Sequence, residues 1–279
     1  MPELPEVEMA RRLAERLARG RRIVGVHVTP DPIVYEGVAP ARFRRALVGR
    51  RVLGVGRHGK HFWLELDRRP WPVFHFGMSG GLHAPLQSSV HLVAEGGRGR
   101  DDGWPPRFTK LVVTLDEGGQ LAWTDARRLG RIRLRRDPRT EPPVSRLGFD
   151  ALDGLPSVDA LVGLLAERAA PVKALLLDQA FAAGVGNWIA DEVLYQARID
   201  PRRRAHTLSR VEVGRLRAVL RRVVATAVRC EGDSDRFPRS WLFHVRWGRR
   251  RDAVTRRGEP IRYDTIGGRT TAWVRGRQR

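Results

Sequence analysis

The sequence predicts an α+β protein in two parts: a β-sandwich headed by an N-terminal helix, then a helical domain that ends in a β-hairpin. Three observations predict it. Residues 3–19 repeat Val7, Ala10, Leu13 and Leu17 at helical spacing and stop at Gly20, a residue suited to a helix C-terminus. Residues 21–135 change to short runs rich in β-branched and aromatic side chains, punctuated by Gly and Pro. From residue 157 to about 229 the apolar period is helical again, and short β-like runs close the chain.

Taken in order, strands are expected at Arg22–Val28, Val52–Val55, His61–Leu66, Val73–Phe76, Lys110–Leu115 and Arg131–Leu134. The glycine-rich, charged stretch Glu95–Gly103 reads as a mobile loop among them. Residues 1–135 therefore make the N-terminal domain, and Pro138, Pro142, Pro143 and Pro156 mark residues 136–156 as a linker. Helices at Ser157–Ala166, Val172–Gln179, Trp188–Ala197 and Ser209–Val228 build a domain over 157–238. Apolar runs at Val254, Ile261–Tyr263 and Thr270–Val274, with turns at Gly258 and Gly267–Gly268, give a hairpin within 239–279.

Composition narrows the function. Lys and Arg total 52 against 31 Asp and Glu, a formal net charge of +21 in 279 residues. Such a chain favours a polyanion, because phosphates release counterions when basic side chains replace them. No run approaches the roughly 18 apolar residues of a membrane span, and the acidic start MPELPEVEMA lacks a basic-then-apolar leader pattern, so no membrane segment is expected. One cysteine, Cys230, rules out an intramolecular disulfide and a multi-thiolate metal site, and fits an intracellular setting. Lys60, Lys110 and Lys173 are the only lysines among many arginines. A lysine kept against that drift is either a place that needs a compact point charge instead of a planar fork or a chance survivor.

The N-terminus carries the sharpest chemistry. Removal of Met1 before the small residue Pro2 leaves a secondary α-amine, with a pKa near 8 where a lysine has about 10.4. About a tenth of it is neutral and nucleophilic at pH 7. Glu3 and Glu6, three residues apart, share its helix face and can carry protons around a Schiff base. Proline and acids in a first turn are also ordinary helix-start residues, so both readings stand at this point. The second constellation runs from Asp178 to Asn187, where Gly184 and Gly186 open a turn and Asn187 takes the N-cap place. It is either a phosphate site at a helix N-terminus or a well-capped helical hairpin.

Six segments in order extend these features over nearly the whole chain. Pro2-Glu3-Leu4-Pro5-Glu6-Val7-Glu8, Arg57-His58-Gly59-Lys60 with Phe62–Leu66, and His75-Phe76-Gly77-Met78-Ser79-Gly80 come first. Thr124-Asp125-Ala126-Arg127-Arg128-Leu129-Gly130, Gly184–Ala190 with Asp191-Glu192, and Gly267-Gly268-Arg269-Thr270-Thr271 follow. Together they resemble the formamidopyrimidine-DNA glycosylase (Fpg/Nei) family, whose fold is a sandwich followed by a helix-two-turn-helix domain and a finger hairpin. The resemblance implies a base-excision repair enzyme that removes oxidised bases and nicks the strand by β,δ-elimination. Pro2 would attack C1′ of the damaged nucleotide, Glu3 would move protons, Glu6 would support the site, and Lys60 belongs with this catalytic set. Lys60, Lys173, Asn187 and Arg269 match residues that hold backbone phosphates, with Arg128 as a further DNA contact, while Lys110 has no counterpart and reads as incidental. Met78, Arg127 and Leu129 match side chains that fill the gap left by a flipped lesion.

Two departures stand out. Leu129 replaces the family's usual Phe, and no cysteine follows Cys230, so the finger resembles the zincless branch that includes plant and fungal members. Phe243, Trp247, Ile261, Tyr263 and Trp273 are then expected to hold the hairpin by apolar contact. The segment 231–248 is shorter than the family's usual lesion-capping loop, which favours formamidopyrimidines and hydantoins over 8-oxoguanine. The expected partner is damaged double-stranded DNA, bound by a monomer without cofactor or metal. A non-catalytic damaged-DNA binder of the same fold is the alternative, and a basic ribosomal or chromatin protein a more distant one.

Overall fold

The computed structural model of the chain describes residues 2–85, 87, 88 and 103–279. It divides into two compact units, one running to Arg146 and joined by Glu231–Ser234, the other made of Leu147–Cys230 and Asp235–Arg279. The loop expected at 95–103 lies, Gly103 apart, outside the described residues.

In the first unit α1 spans Leu4–Ala18, with Pro5 in its first turn, where a missing N–H costs nothing. Leu4, Val7, Ala10, Leu13 and Ala14 are buried. There follow β1 (Ile23–Val28), α2 (Pro40–Leu47), β2 (Val52–His58), β3 (His61–Leu66), β4 (Trp71–His75), β5 (Gly80–Ala84), β6 (Gln87–Ser88), β7 (Thr109–Leu115), β8 (Gln120–Asp125) and β9 (Arg131–Arg135). They form a five-stranded sheet, β1-β7-β8-β5-β6, and a four-stranded sheet, β2-β3-β4-β9, every pairing antiparallel. One apolar core joins both sheets to α1 and α2, with Leu13, Phe43, Leu64, Phe74, Leu111 and Trp123 among its members. Phe62 and Phe74 face each other in register with ring centroids 4.8 Å apart.

The expected strands are present, while α2, β5 and β8 were not legible. In α2 only Phe43 and Leu47 are buried, too short a stripe to show a period. Two of the five residues of β5 are glycine, and its pairing with β8 overrides a weak strand preference.

In the second unit β10 (Phe149–Asp150) pairs in parallel with β11 (Ala182–Ala183), and α3 (Val158–Ala166), α4 (Val172–Leu177), α5 (Asn187–Ala197) and α6 (Arg210–Arg229) make the helical body. Residues 136–156 thus hold a 3-10 turn at Val144–Arg146 and the strand β10. Ser157 caps α3 by accepting from the Ala160 amide, and Ser209 with Glu212 forms a capping box on α6. Every residue of α5 from Trp188 to Tyr195 is buried, so this helix is the axis of the unit.

The closing hairpin pairs β12 (Arg262–Ile266) with β13 (Arg269–Trp273) through Gly267 and Gly268, both at positive φ as a two-residue twisted turn requires. Its apolar support is partly what was expected. Ile261 and Tyr263 pack with Tyr195, Leu242, Ala272 and Val274. Phe243 and Trp247 instead join an aromatic cluster with Trp188, Phe237 and Trp241. Trp273 lies under the Arg202 guanidinium at 4.4 Å and donates its indole N–H to Asp264 at 2.7 Å. The hairpin strands carry neither cysteine nor histidine, a donor set that does not fit zinc. Among the described residues no helix is long and apolar enough to cross a membrane.

The sandwich core predicts a definite penalty: Phe62→Ala, which empties a site that is 1% exposed, should lower stability by about 3–5 kcal/mol in urea unfolding.

Candidate functional site

Pro2 is buried at the head of α1, beside Glu3 at 2% and Glu6 at 7% exposure. Glu3 is the N-cap and Glu6 the third helical residue, and the two form a reciprocal capping box, with the Glu3 N–H donating to Glu6 Oε2 at 2.9 Å. Gly232, at φ +69°, brings the segment Glu231–Ser234 against Glu6, where an added Cβ would stand 3.6 Å from its Cγ. Burial, then the neighbouring charge of Glu3, raises the Glu6 carboxyl to about 7. The first turn is therefore the helix start that one reading expects. Its acids cap the helix, and the same hydrogen bonds fix a carboxyl pair, one member near neutrality, next to Pro2.

Lys60 sits in the two-residue turn between β2 and β3, 9% exposed. That turn is tied to α1 by an ion pair that sequence reading did not single out. Arg57 Nε lies 3.0 Å from Glu8 Oε2, with side-chain exposures of 1% and 6%. Arg57 also donates to the Gly59 carbonyl at 3.1 Å, so one guanidinium spans the helix and the lysine turn. Arg11 and Arg12 each reach Glu8 at 2.9 Å. Burial opposes a charge on Glu8, yet these hydrogen bonds prevail and hold its carboxyl below the usual range. Beneath the turn the His61 and His75 rings stand 4.6 Å apart. Burial, reinforced by nearby cations, pushes His61 well below its ordinary value and His75 down to about 4, so both are neutral and leave Lys60 as the cation of the turn.

Met78, Arg127 and Leu129 are all exposed, on two loops that meet at one buried carboxylate. Asp125, 1% exposed, accepts from Ser79 Oγ at 2.6 Å and the Arg127 amide at 3.2 Å through Oδ1, and from the Gly130 amide at 2.6 Å through Oδ2. The loops touch backbone to backbone, since a Cβ on Gly77 would stand 2.4 Å from the Leu129 carbonyl. No side chain fits that crossing, and Gly77 adopts φ +62° there. The structure thus collects the three expected gap-fillers at one corner.

Arg128 is placed differently from a simple DNA contact. Its guanidinium grips buried Asp31 in a fork, Nε to Oδ2 at 2.9 Å and Nη2 to Oδ1 at 3.0 Å, with 46% of the side chain still exposed. Lys110 Nζ meets the same Asp31 at 3.0 Å, so Lys110 is not incidental: its compact ammonium completes a site that a second fork would crowd. Burial works against Asp31, but Arg128 and Lys110 hold its carboxyl far below the usual range.

In the second unit Asn187 is the first helical residue of α5, and Gly186 takes the N-cap place expected for Asn187. The side chain is drawn elsewhere: its amide donates to the Thr270 carbonyl of β13 at 2.9 Å, and its oxygen accepts from Lys173 Nζ at 2.9 Å. Lys173, which the resemblance gives as a phosphate contact, is turned inward. It is 0% exposed and salt-bridged to Asp191, which in turn binds Arg246 and accepts from the Ala272 amide at 3.1 Å. Lys173 therefore orients Asn187 and the hairpin from inside, while Arg269 stands exposed at the hairpin turn. Gln179 stitches the Gly184–Val185 loop, donating to the Val185 carbonyl at 2.8 Å and accepting from the Gly184 amide at 3.2 Å. Glu192, buried and accepting from the Phe243 amide at 2.9 Å, is raised to about 7, first by burial.

An antiparallel sandwich headed by a buried Pro-Glu turn, followed in one chain by a helical unit with a closing hairpin, defines a two-part α+β class of protein. Residues 1–132 match the family model of the formamidopyrimidine-DNA glycosylase N-terminal domain, and residues 147–238 that of its H2TH domain. The chain belongs to the formamidopyrimidine-DNA glycosylase family. A formamidopyrimidine-DNA glycosylase of Arabidopsis thaliana is 40% identical over 274 residues, covering 98% of this chain and 70% of its own. One of Thermus thermophilus is 36% identical over 283 residues, covering 97% of this chain and 96% of its own. The crystal structure of Lactococcus lactis formamidopyrimidine-DNA glycosylase bound non-covalently to AP-site DNA superposes with a TM-score of 0.79 at 22% identity, covering 99% of each chain, and this likeness establishes the fold.

Two outcomes follow from these geometries. Asp125→Ala strands the donors of both loops and should cost about 3 kcal/mol or more in urea unfolding, with Asp125→Asn losing less because one oxygen still accepts. Glu192 keeps its proton to higher pH in the folded than in the unfolded chain, so its contribution to stability falls as pH rises from 4.5 to about 7 and is level above. Glu192→Gln should flatten that decline when unfolding midpoints are compared at about pH 5 and about pH 8.

Proposed function

We propose that this chain is a bifunctional DNA glycosylase and AP lyase of base-excision repair, acting on damaged duplex DNA as a monomer through the α-amine of Pro2. The observation that carries the reading is the burial of Pro2 against the Glu3–Glu6 capping box. Met1 removal exposes the secondary amine, and its partial neutrality near pH 7 makes it a nucleophile. Its nitrogen bonds to C1′ while the glycosidic bond breaks, and that electron pair leaves with the base, which gains a proton. The amine gives up its proton and the C1′–O4′ bond opens, its electron pair going to O4′, which is protonated, while the nitrogen lone pair completes an iminium. This acidifies the C2′ hydrogen, whose removal expels the 3′-phosphate. A second elimination expels the 5′-phosphate, and water releases the sugar remnant from the amine. Glu3 carries protons in these steps. Glu6, with a carboxyl near 7, holds or yields the proton beside it and anchors the Glu3 backbone.

The remaining roles are those that the family resemblance implies, and the geometry supports them. Lys60, held on its turn by Arg57 and Glu8, meets a backbone phosphate near the lesion. Asn187, oriented by Lys173, and Arg269 at the hairpin turn hold the backbone from the helical unit. Met78 and Leu129 replace the stacking lost when the lesion leaves the helix, and Arg127 bonds the orphaned opposite base. Arg128 sets this loop through Asp31 and offers its outer edge to DNA. The short segment 231–248 supports ring-opened formamidopyrimidines and hydantoins over 8-oxoguanine as substrates.

Borohydride added during turnover on abasic-site duplex should trap a covalent complex with the Met1-free enzyme. Pro2→Gly and Glu3→Gln should lower nicking by about a hundredfold or more while lesion binding stays within a few-fold. An enzyme that begins with proline, binds the duplex and is never trapped would sink this mechanism and leave the non-catalytic binder.

A further inference from the structure

Phe108, just before β7, is 55% exposed and holds φ +60°. In the first unit it is the one exposed large aromatic among the described residues. Single exposed apolar residues are common, but a bulky ring in the left-handed region is not, because its Cβ crowds its own backbone. A conformation of that kind persists where surrounding bonds impose it, and it points to use. Here the Asp125 amide donates to the Phe108 carbonyl at 3.1 Å, and Thr109 Oγ1 donates to the Pro106 carbonyl at 2.6 Å. Thr109 is paired in register with Thr124. The ring is therefore mounted on the residue whose carboxylate also positions Ser79, Arg127 and Gly130. The Arg107 guanidinium lies 5.1 Å from the ring centroid, is exposed, and has no ion-pair partner among the described residues.

We infer that Phe108 is a further DNA contact at this corner: its ring stacks on a nucleotide of the bound duplex while Arg107 meets an adjoining phosphate. The inference rests on the DNA-repair reading above and deepens it. Met78 and Leu129 are aliphatic and fill space without a π face, whereas an exposed ring beside a cation matches a base beside its phosphate.

The test uses the full chain and a duplex carrying a tetrahydrofuran abasic analogue, with Kd read by fluorescence anisotropy over a range of salt. Phe108→Gly should weaken binding about tenfold or more. It should leave the slope of log Kd against log salt unchanged, because no charge is lost. Its thermal midpoint should hold or rise, since glycine adopts positive φ without strain. Phe108→Trp should restore affinity, and Arg107→Ala should reduce the salt slope by about one. A glycine variant that binds within about twofold of the parent overturns the inference, as does one whose stability and affinity fall together. If the parent binds and is trapped by borohydride while the glycine variant matches it, only the place of Phe108 is wrong. If the parent does neither, the DNA-repair reading falls, and this inference with it.

Discussion

Glu8, Asp125 and Asp191 are carboxylates withdrawn almost wholly from water, at 5%, 1% and 1% exposure, and each collects donors from segments far apart in the chain. A buried carboxylate left without donors is costly, so the segments that supply those donors are held wherever the carboxylate stands. Glu8 draws Arg57 and the Lys60 turn onto α1. Asp125 draws the loop of Met78 and the loop of Arg127 together. Asp191 draws Lys173, Arg246 and the β13 backbone onto α5. Pre-organisation of the proposed site side chains in each unit thus comes from charge satisfaction inside the fold, one layer beneath the residues proposed to meet DNA.

The same logic explains the three lysines in an arginine-rich chain of net charge +21. Each stands in a confined polar site: Lys60 on its turn, Lys110 beside the Arg128–Asp31 fork, and Lys173 at zero exposure between Asn187 and Asp191. A guanidinium is wider and planar, and its five donors would not all find partners in such places. Arginine serves freely on the surface, where water satisfies whatever the protein does not.

The finger shows how a hairpin normally in need of a staple is held by packing. Tyr195 of the buried helix α5, with Leu242, Ile261, Ala272 and Val274, supplies an apolar anchor, and Asp191 fixes the β13 backbone at Ala272. The glycine pair at the turn lets the strands twist onto each other, and Gly267 passes close to α4, where a Cβ would meet Ala174 at 3.0 Å. A two-stranded ribbon alone is marginal, so this backing is what keeps Arg269 at a fixed position.

The sequence by itself determined the class of the fold and the order of its main elements, and it singled out Pro2, Glu3 and Glu6 as one helix-start group. These depend on local spacing, such as Glu3 and Glu6 one helical turn apart, or on turn residues such as Gly267-Gly268, and neither needs a distant partner to be recognised. Only the tertiary structure decided that Lys173 is buried, that Lys110 and Arg128 share Asp31, that Gly186 and not Asn187 caps α5, and that Phe243 belongs to an aromatic cluster with Trp188 and Phe237. Strands such as β5 and the short α2 were likewise hidden. In every one of these cases the deciding partner lies many residues away, and a side chain's burial, charge pairing and direction are set by what the fold brings against it.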